Sequence, residues 1–400
     1  MRGFFGLVVF STLFFTGFFA SQTKADSTPK DAESVEQIRV KAEQGDAVAQ
    51  LSLGTRYFFG LSVPQDYKQA VTWLRKAAEQ DGNAMAQFNL GLMYEGAGGV
   101  QRDYAQAVAW YRKAAEQGDV AAQSNLGSMY FYGKGVVQDY KRAFAWYRKA
   151  ADQGDAVAKS AEQADVALKI MAKFVEHYTT VSQSNLGWMY FNGKGVVKDN
   201  AQAVVWYRKA ADQGDAAAQS LLGLKYAHGE GVPQDYKQAV AWYRKAAEQG
   251  YAGAQSNLGL MYERGEGVAQ DFKQAVAWYR KAADQGDAAA QSNLGGMYVR
   301  GEGVVQDFEQ AVTWSRKAAE QGLAGAQNNL GLMYGGGVGV QQDYAKAYMW
   351  ANLAAAQGLE NAVKTRNDLV KKLIPSQIEE GQRLAREWIA THPQAQAAQK

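Results

Sequence analysis

Residues 216–251 read AAAQSLLGLKYAHGEGVPQDYKQAVAWYRKAAEQGY, and this stretch contains two helical patterns around a glycine-rich turn. Ala218, Leu222 and Tyr226 lie at positions i, i+4 and i+8, so they form one stripe on a first helix. A second stripe, with the spacing i, i+3, i+4 and i+7, begins at Ala239 and predicts a second helix. The stretch therefore predicts a helical hairpin.

The segment HGEGVPQD between the two stripes has the composition of a turn followed by a helix start. Its glycines permit positive φ angles that would strain other residues. Asp235 and Gln238 form a D-x-x-Q pattern, which predicts a capping box at the start of the second helix. Gly250 follows the second helix, where a left-handed C-terminal cap is expected.

The same two-helix unit recurs along the chain. The Trp of the second helix recurs with successive spacings of 37, 36, 60, 36, 36, 36 and 36 residues, and the Gly of a Leu-Gly pair in the first helix follows the same spacings. The repeated tryptophans are Trp73, Trp110, Trp146, Trp206, Trp242, Trp278, Trp314 and Trp350. Stacked copies of a two-helix unit predict an all-α solenoid of paired antiparallel helices.

The spacing of 60 residues is one period plus a 24-residue insertion near residues 157–180. The apolar residues that recur every four positions in it are Val166, Ile170, Phe174 and Tyr178. This spacing predicts an amphipathic helix. The insertion could extend a helix of the stack, bend the solenoid or present an additional surface.

The repeated glycine predicts a close contact between the two helices of each unit. Gly inside a helix costs about 1 kcal/mol relative to Ala, so its recurrence indicates a packing reason. We expect the glycine to let an aromatic of the second helix approach, and the repeated Trp to lie in the core. The recurring Arg-Lys pair has an acid four residues after the Arg, as in Arg244 and Glu248, which predicts a self-neutralised helix face.

The unit A-x-x-x-L-G-x-x-Y, G-x-G-V, Q-D-Y-x-x-A, A-x-W-Y-x-K-A-A-E-Q-G, with a period of 36 residues, resembles the Sel1-like repeat family. The resemblance covers residues 47–358. It implies a right-handed superhelical solenoid like that of the tetratricopeptide repeat, and a non-catalytic scaffold whose partners are proteins or peptides. One cysteine-rich branch of the family is connected with penicillin binding, but this chain has no Cys and lacks that feature.

The N-terminus has the pattern of a secretory signal peptide. Met1 and Arg2 precede an uncharged apolar stretch, and Thr23 and Ala25 are small residues suited to cleavage after Ala25. The apolar stretch is shorter than the about 20 residues that span a bilayer, which favours cleavage over retention as an anchor. Because a chain without Cys needs no disulfides, we expect a secreted protein of a bacterial periplasm.

The predicted organisation has five parts. They are a signal peptide at 1–25, a linker and half-repeat cap at 26–46, the eight repeats with their insertion at 47–358, a helical cap at 359–392 and a disordered tail at 393–400. Within the C-terminal cap, Ser376 and Glu379 predict a capping box.

The composition excludes most kinds of active site. The absence of Cys excludes a disulfide framework, a thiolate metal site and a Cys nucleophile. His177, His228 and His392 are far apart, with no metal-ligand spacing. A net charge of +3 is too small to predict nucleic-acid binding. Because P-loop, dinucleotide-binding, HExxH and GxSxG patterns are also missing, we predict a protein that is not an enzyme and has no cofactor.

The first candidate site is a set of amides on the first helices. Asn precedes the Leu-Gly pair in six copies, and Met follows two residues after the Gly in the same copies. In tetratricopeptide domains an Asn at the matching position reaches the backbone of a bound peptide, so the resemblance implies a peptide-binding ladder. The alternative is a hydrogen bond between repeats, with Met filling the adjacent gap. The six amides are Asn89, Asn125, Asn185, Asn257, Asn293 and Asn329.

The second candidate site is the pair of variable residues after the Tyr of each first helix. N-terminal copies are often aromatic there, whereas two C-terminal copies carry Arg264 and Arg300. If this surface binds a partner, its two ends prefer different chemistry. The alternative is drift at exposed loop starts.

The sequence predicts a secreted or periplasmic scaffold for protein interactions in envelope assembly, signalling or host interaction. One alternative is a cell-wall or β-lactam hydrolase, since S-x-x-K occurs at Ser21 and Ser27, although the companion S-D-N and K-T-G motifs are missing. A second alternative is an exopolysaccharide or envelope assembly factor anchored in the membrane by an uncleaved signal segment.

Overall fold

The described residues of the computed structural model are 34–80, 82–98, 100–161 and 166–392. Across these ranges the regular secondary structure is helical, and no strand occurs. The predicted signal peptide and C-terminal tail lie outside the described residues.

The chain divides into two compact units, and the first ends at Asp215. In the first unit α4 continues into a π-helical turn at Met93–Ala97. Its helices are α1 (Val35–Glu43), α2 (Ala47–Phe59), α3 (Tyr67–Glu79), α4 (Ala84–Leu92), α5 (Tyr104–Glu116), α6 (Val120–Tyr132), α7 (Tyr140–Ala161), α8 (Val166–Asn192) and α9 (Asn200–Asp212).

The second unit begins at Ala216. Its helices are α10 (Ala216–His228), α11 (Tyr236–Glu248), α12 (Ala252–Arg264), α13 (Phe272–Asp284), α14 (Ala288–Arg300), α15 (Phe308–Glu320), α16 (Ala324–Gly336), α17 (Tyr344–Ala356), α18 (Glu360–Val370) and α19 (Pro375–Thr391). From α2 to α17 the helices alternate as the first and second members of a pair, called A and B helices below. The predicted all-helical fold of repeated helical pairs is confirmed.

Caps and glycines define the ends of the helices. Asp235 caps α11, and its carboxylate accepts a hydrogen bond of 3.0 Å from the backbone N–H of Gln238, which is the Asp half of the predicted capping box. The A helix α12 ends at Gly265, which has a φ of 70° in the left-handed region. The Asp cap recurs in each copy and the left-handed glycine in most, so the helix boundaries follow the repeat, except where α4 runs into its π-helical turn.

The aromatic that contacts the A-helix glycine is the Tyr next to the repeated Trp. A Cβ built on Gly259 would lie 2.7 Å from the ring of Tyr279, so only glycine fits between α12 and α13. The predicted close contact between the A-helix glycine and an aromatic ring is therefore present, and the ring belongs to the Tyr that follows the repeated Trp. The fully buried tyrosines at this position are Tyr111, Tyr147, Tyr207, Tyr243 and Tyr279.

The repeated Trp packs toward the preceding repeat. Trp278 lies in a cluster with Tyr243 of the repeat before it and Leu258 of its own repeat. Lys281, one helical turn further on, places its ammonium 4.1 Å from the centre of the Trp278 ring. The Trp is thus a core residue at the junction between repeats, covered on its outer side by a cation.

The arginine of the Arg-Lys pair binds a tyrosine of the next repeat. Arg244 donates a hydrogen bond of 3.0 Å to the Tyr262 hydroxyl, in place of the predicted pairing with Glu248. Arg112 and Arg316 make the corresponding bond to Tyr130 and Tyr334. In these copies the helix face is therefore a junction between neighbouring repeats, whereas the predicted i, i+4 pair is present between Arg148 and Asp152 at 2.8 Å.

The insertion extends two helices of the stack. α7 continues to Ala161, and α8 begins at Val166 and contains the predicted amphipathic pattern. The side chain of Thr179 occupies the space that a Cβ on Gly154 would need, so the two extended helices cross closely at this glycine.

The C-terminal cap begins differently from its prediction. α19 begins at Pro375, and the backbone N–H of Ile374 donates to the side chain of Gln377 at 3.2 Å. Ser376 lies inside the first turn and is not the N-cap, because the fixed φ of Pro375 favours the first helical position. The predicted box of Ser376 and Glu379 is therefore wrong. Trp388 of α19 packs edge-on against Trp350 at 5.9 Å.

Two Gly→Ala substitutions should separate packing from helix propensity. We expect Gly259→Ala to destabilise the second unit by about 1–3 kcal/mol, because the new methyl group meets the Tyr279 ring. Gly325→Ala in α16 should stabilise it by up to about 1 kcal/mol, because no atom lies within 4 Å of the added Cβ. Urea unfolding followed by circular dichroism measures both, and equal effects would contradict the packing role of Gly259.

Candidate functional site

The A helices of the second unit share a polar surface that we call the A face. It consists of the second, sixth, ninth and thirteenth residues of α12, α14 and α16, which lie on one side of each helix. All of them are partly buried or exposed. They are Gly253, Asn257, Leu260, Arg264, Ala289, Asn293, Gly296, Arg300, Gly325, Asn329, Leu332 and Gly336.

The six predicted asparagines differ in exposure. Asn125 is buried, and Asn329 is exposed. The amides of Asn125 and Asn293 face the hydroxyls of Tyr111 and Tyr279 in the preceding repeat and act to lower their pKa. For Asn125 and Asn293 these contacts favour the alternative of a hydrogen bond between repeats over a peptide-binding role. The partly buried amides are Asn89, Asn185, Asn257 and Asn293.

The methionines that accompany the asparagines belong to the core. All six are buried beneath the A helices, where their flexible side chains fill irregular gaps. They are Met93, Met129, Met189, Met261, Met297 and Met333. Any binding surface is therefore formed by the amides and their exposed neighbours, without the methionines.

The two predicted arginines lie among carboxylates. Arg300 donates to Glu263 of the preceding repeat at 2.7 Å and also pairs with Glu302. Arg264 lies 3.9 Å from Glu266. Two guanidinium groups thus face three carboxylates, so this part of the A face has no net positive charge.

Glu263 connects two repeats through one carboxylate. Its second oxygen accepts a hydrogen bond of 2.6 Å from the Tyr279 hydroxyl. Burial and the adjacent carboxylate raise the pKa of Tyr279 well above its ordinary value. The tyrosine therefore stays protonated and continues to donate, which holds Glu263 in position for Arg300.

Sequence reasoning missed a row of buried glutamines. Gln255 in α12 donates to the carbonyl of Ala247 at 3.0 Å and accepts from Gln285 at 2.8 Å. The same bonds recur one repeat later, from Gln291 to Ala283 and from Gln321 to Gln291. The signal was available, because a Gln recurs four residues before the Leu-Gly glycine. The bonds join successive helices and stabilise the stack.

In the first unit α8 covers the start of the corresponding surface on α6. Ala121 and Ser124 of α6 are 2% and 1% exposed, whereas Ala289, the counterpart of Ala121 in α14, is exposed. Ser182 of α8 donates to the Ser124 hydroxyl at 3.0 Å. The N-terminal half of the A face of α6 is therefore closed, since Asn125 is also buried, whereas Tyr132 at its C-terminal end is 59% exposed.

Aromatic contacts extend this cover to the preceding repeat. Phe88 of α4 is 1% exposed and lies 6.2 Å from Phe174 and 5.8 Å from Tyr178, measured between ring centres. Both partners belong to α8. Phe88 occupies a position where five of the other copies carry Ser, so this repeat is adapted to the inserted helix.

Two acids lie near the covered surface. Burial raises the pKa of Glu95, although its hydrogen bond of 2.8 Å from Tyr111 acts in the opposite direction. Burial also raises the pKa of Asp119 to about 6, against the effect of the backbone N–H groups that it caps. Tyr178 of the inserted helix interacts with both acids, which contribute to the raised pKa of its own hydroxyl.

The described part of the chain was compared with the requirements of a metal site and of a membrane-spanning helix, and it meets neither. There, no three His, Cys, Asp or Glu side chains are grouped to hold a metal ion. Among the described helices, none has the length and apolar character needed to cross a membrane.

Comparison with known proteins gives consistent matches to one repeat family. A Sel1 repeat family model matches residues 47–82, 84–119, 120–155, 180–215, 216–251, 252–287, 288–323 and 324–359. A crystal structure of a Sel1 repeat protein from Oxalobacter formigenes is 34% identical, with a TM-score of 0.61 over 85% of this chain and 92% of that one. A protective antigen of uropathogenic Escherichia coli with an SLR fold is 35% identical over 92% of this chain and 97% of that chain, with a TM-score of 0.33.

One curated relative matches over a short segment. The secretory immunoglobulin A-binding protein EsiB of Escherichia coli is 50% identical over 44 residues. The match covers 11% of this chain and 9% of the relative, so this chain spans only a small part of that protein.

Asp119→Asn should remove a pH dependence of the first unit. Because the folded-state pKa of Asp119 is raised, its stabilising contribution is complete below about pH 4 and is lost as the pH rises through about 6. Asn keeps the cap, as Asn83 shows by accepting from Ala86 at 2.9 Å. We expect the variant to be more stable than the parent by about 1–2 kcal/mol at pH 7.5, and equal to it near pH 4.

Chemical unfolding at the two pH values measures this difference. Asp287→Asn, which replaces the corresponding cap of α14 away from the inserted helix, is the matched control. Equal pH profiles for the parent and Asp119→Asn would contradict the prediction.

Proposed function

This chain belongs to the Sel1-repeat family, whose members generally act as protein-interaction scaffolds, and from that premise we propose that it is a non-catalytic scaffold that binds an extended segment of a partner protein along the A face of its second unit. The observation that carries this proposal is the contrast between the two units. The A face is closed at the start of α6, where Ala121 is 2% and Asn125 8% exposed, whereas the corresponding residues of α12, α14 and α16 are partly or fully exposed.

The amides of the A face suit an extended chain. Asn257 and Asn329 occupy the same register position two repeats apart, and each side chain offers both donors and an acceptor. An extended peptide presents its own N–H and C=O groups at regular intervals, so amides at this register can bind backbone groups with little dependence on sequence.

The charge of the A face argues against a strongly acidic partner. Arg264 and Arg300 would attract one if they lay alone, but Glu263, Glu266 and Glu302 balance them. Charged pairs at the edge of an interface contribute more to selectivity than to affinity. We therefore expect the A face to recognise its partner by hydrogen bonds and by apolar contacts with partly exposed Leu260 and exposed Leu332.

We further propose that the protein is exported. The apolar N-terminal pattern that ends near Ala25 supports export, and the absence of Cys is compatible with it. The immunoglobulin named for EsiB is not proposed as the partner here, because that match is 44 residues long and extends over little more than one repeat.

Photo-crosslinking tests the location of the binding surface. A benzoylphenylalanine placed at Arg264 should give one dominant adduct in cells, whereas the same group at exposed Lys273 on the B helix α13 should give only background. Equal adducts from the two positions, or none from 264, would contradict binding at the A face.

The amides are tested by substitution. We expect Asn257→Ala combined with Asn329→Ala to reduce the yield of the 264 adduct about tenfold or more, since each lost hydrogen bond is worth about 0.5–1.5 kcal/mol. Asn125→Ala, on the covered face, should leave the yield unchanged. A loss of helical circular dichroism in the double variant would assign these amides a structural role.

A further inference from the structure

The turn between the two helices of a repeat packs on the preceding repeat. A Cβ built on Gly195, between α8 and α9, would lie 2.2 Å from the carbonyl oxygen of Tyr140 at the start of α7. A Cβ on Gly303, between α14 and α15, would lie at the same distance from the carbonyl oxygen of Phe272. Successive turns therefore stack along one edge of each unit, and the backbone that carries their side chains is held in place.

These turns differ in charge between the two units. We consider the ten residues from the first glycine of a turn to the third residue of the next helix. In the first unit, residues 133–142 and 193–202, called the basic edge below, carry five cations and two carboxylates. In the second unit, residues 301–310 and 337–346, called the acidic edge, carry one cation and four carboxylates. The two edges thus have opposite net charges of +3 and −3.

The lysines of the basic edge are exposed and lie over aromatic rings. The ammonium groups of Lys194 and Lys198 lie 5.5 Å from the ring centres of Tyr140 and Phe191. Both lysines are exposed to solvent, as is Lys141. A ring that attracts the ammonium leaves its charge accessible and favours one position for it.

Ion pairs cancel only part of the charge of the two edges. The charges that remain exposed include Lys141 and Lys194 on the basic edge and Asp307 and Glu309 on the acidic edge. The ion pairs are Arg142 with Asp139 at 3.4 Å, Lys346 with Asp343 at 3.0 Å, and Glu302 with Arg300, which lies just outside the acidic edge.

Each edge also exposes apolar side chains among its charges. Val137 and Val197 on the basic edge are 89% and 85% exposed, and Val305, at the same register on the acidic edge, is 88% exposed. Phe308 and Val338 of the acidic edge are 37% and 36% exposed. Exposed apolar residues rimmed by charged ones are typical of a surface that binds a protein.

We propose that the basic edge of one copy of this chain binds the acidic edge of a second copy. The lysines of the first face Asp307 and Glu309 of the second, and the exposed valines pack between the charges. Two basic edges repel each other, so the contact joins unlike surfaces. Such a contact leaves an edge of each kind for further copies, and the assembly is a chain or a closed ring. The inference goes beyond the scaffold proposal and does not rest on it.

Sedimentation velocity of the protein purified from cells tests the contact. At about 0.05 M salt, we expect the mean mass to rise with protein concentration between about 1 and 100 µM. At about 0.5 M salt the mass should fall toward that of one chain, because dissolved ions screen exposed charges. The mass of a single chain at every concentration and at both salt levels would overturn the proposal.

Exchanging residues between the two edges gives the test variants. Lys141→Glu with Lys198→Gln neutralises the basic edge, and Gln306→Lys with Glu309→Lys neutralises the acidic edge. Each introduced side chain already occurs at the same register on the other edge, so both variants should keep the helical circular dichroism of the parent. Either variant alone should associate about tenfold more weakly or less, since it loses close charge pairs.

A mixture of the two variants contains one intact basic edge and one intact acidic edge. It should therefore form pairs of chains and no larger species. Only single chains in the mixture, or undiminished association of either variant alone, would overturn the pairing of the two edges. Lys364→Glu with Lys372→Gln, which changes the net charge as much as the first variant does at exposed positions in and after α18, is the matched control. It should associate like the parent, and an equal loss there would assign the effect to net charge and overturn the proposal.

Discussion

The contact between the A-helix glycine and the B-helix tyrosine sets the separation of the two helices in a repeat. At Gly259 and Tyr279 the ring lies where a side chain would otherwise be, so the two backbones approach within the thickness of one aromatic ring. The tyrosine hydroxyl then emerges beside the next repeat, where it meets Glu263 and Asn293. Helix pairing and the position of the candidate binding groups thus depend on the same contact.

Neighbouring repeats are joined by hydrogen bonds of polar side chains that composition alone would place on the solvent-exposed surface. Buried Gln255 bonds to the preceding repeat and to Gln285 of its own, and Arg244 reaches Tyr262 in the next repeat. Each bond contributes modestly, but an unpaired amide or guanidinium at a buried junction would be costly. The polar residues of the repeat therefore determine how copies stack, and the exposed positions are left free to vary with function.

The inserted helix changes what the two units can offer a partner. In the first unit, α8 covers the start of α6. Its Phe174 and Tyr178 pack against Phe88, and Tyr178 also interacts with Asp119. In the second unit the residues of the A face are partly or fully exposed. One sequence period thus produces two surfaces, one partly closed by the chain and one open.

The sequence by itself determined the period, the paired helices, the Asp caps and the need for glycine at the helix contact, because these follow from local spacing and backbone chemistry. It did not show that the ring in contact with Gly259 belongs to Tyr279 and not to the preceding repeated Trp278. Periodicity identifies the buried face of a helix, but it does not decide which of two adjacent aromatic residues on that face makes a given contact. It also assigned Arg244 to Glu248, because i, i+4 pairs are visible in sequence and partners 18 residues apart are not. The cover over the start of α6 and the neutralisation of Arg300 were decided by tertiary structure alone, because each depends on the distance between helices that the chain brings together only when the repeats stack.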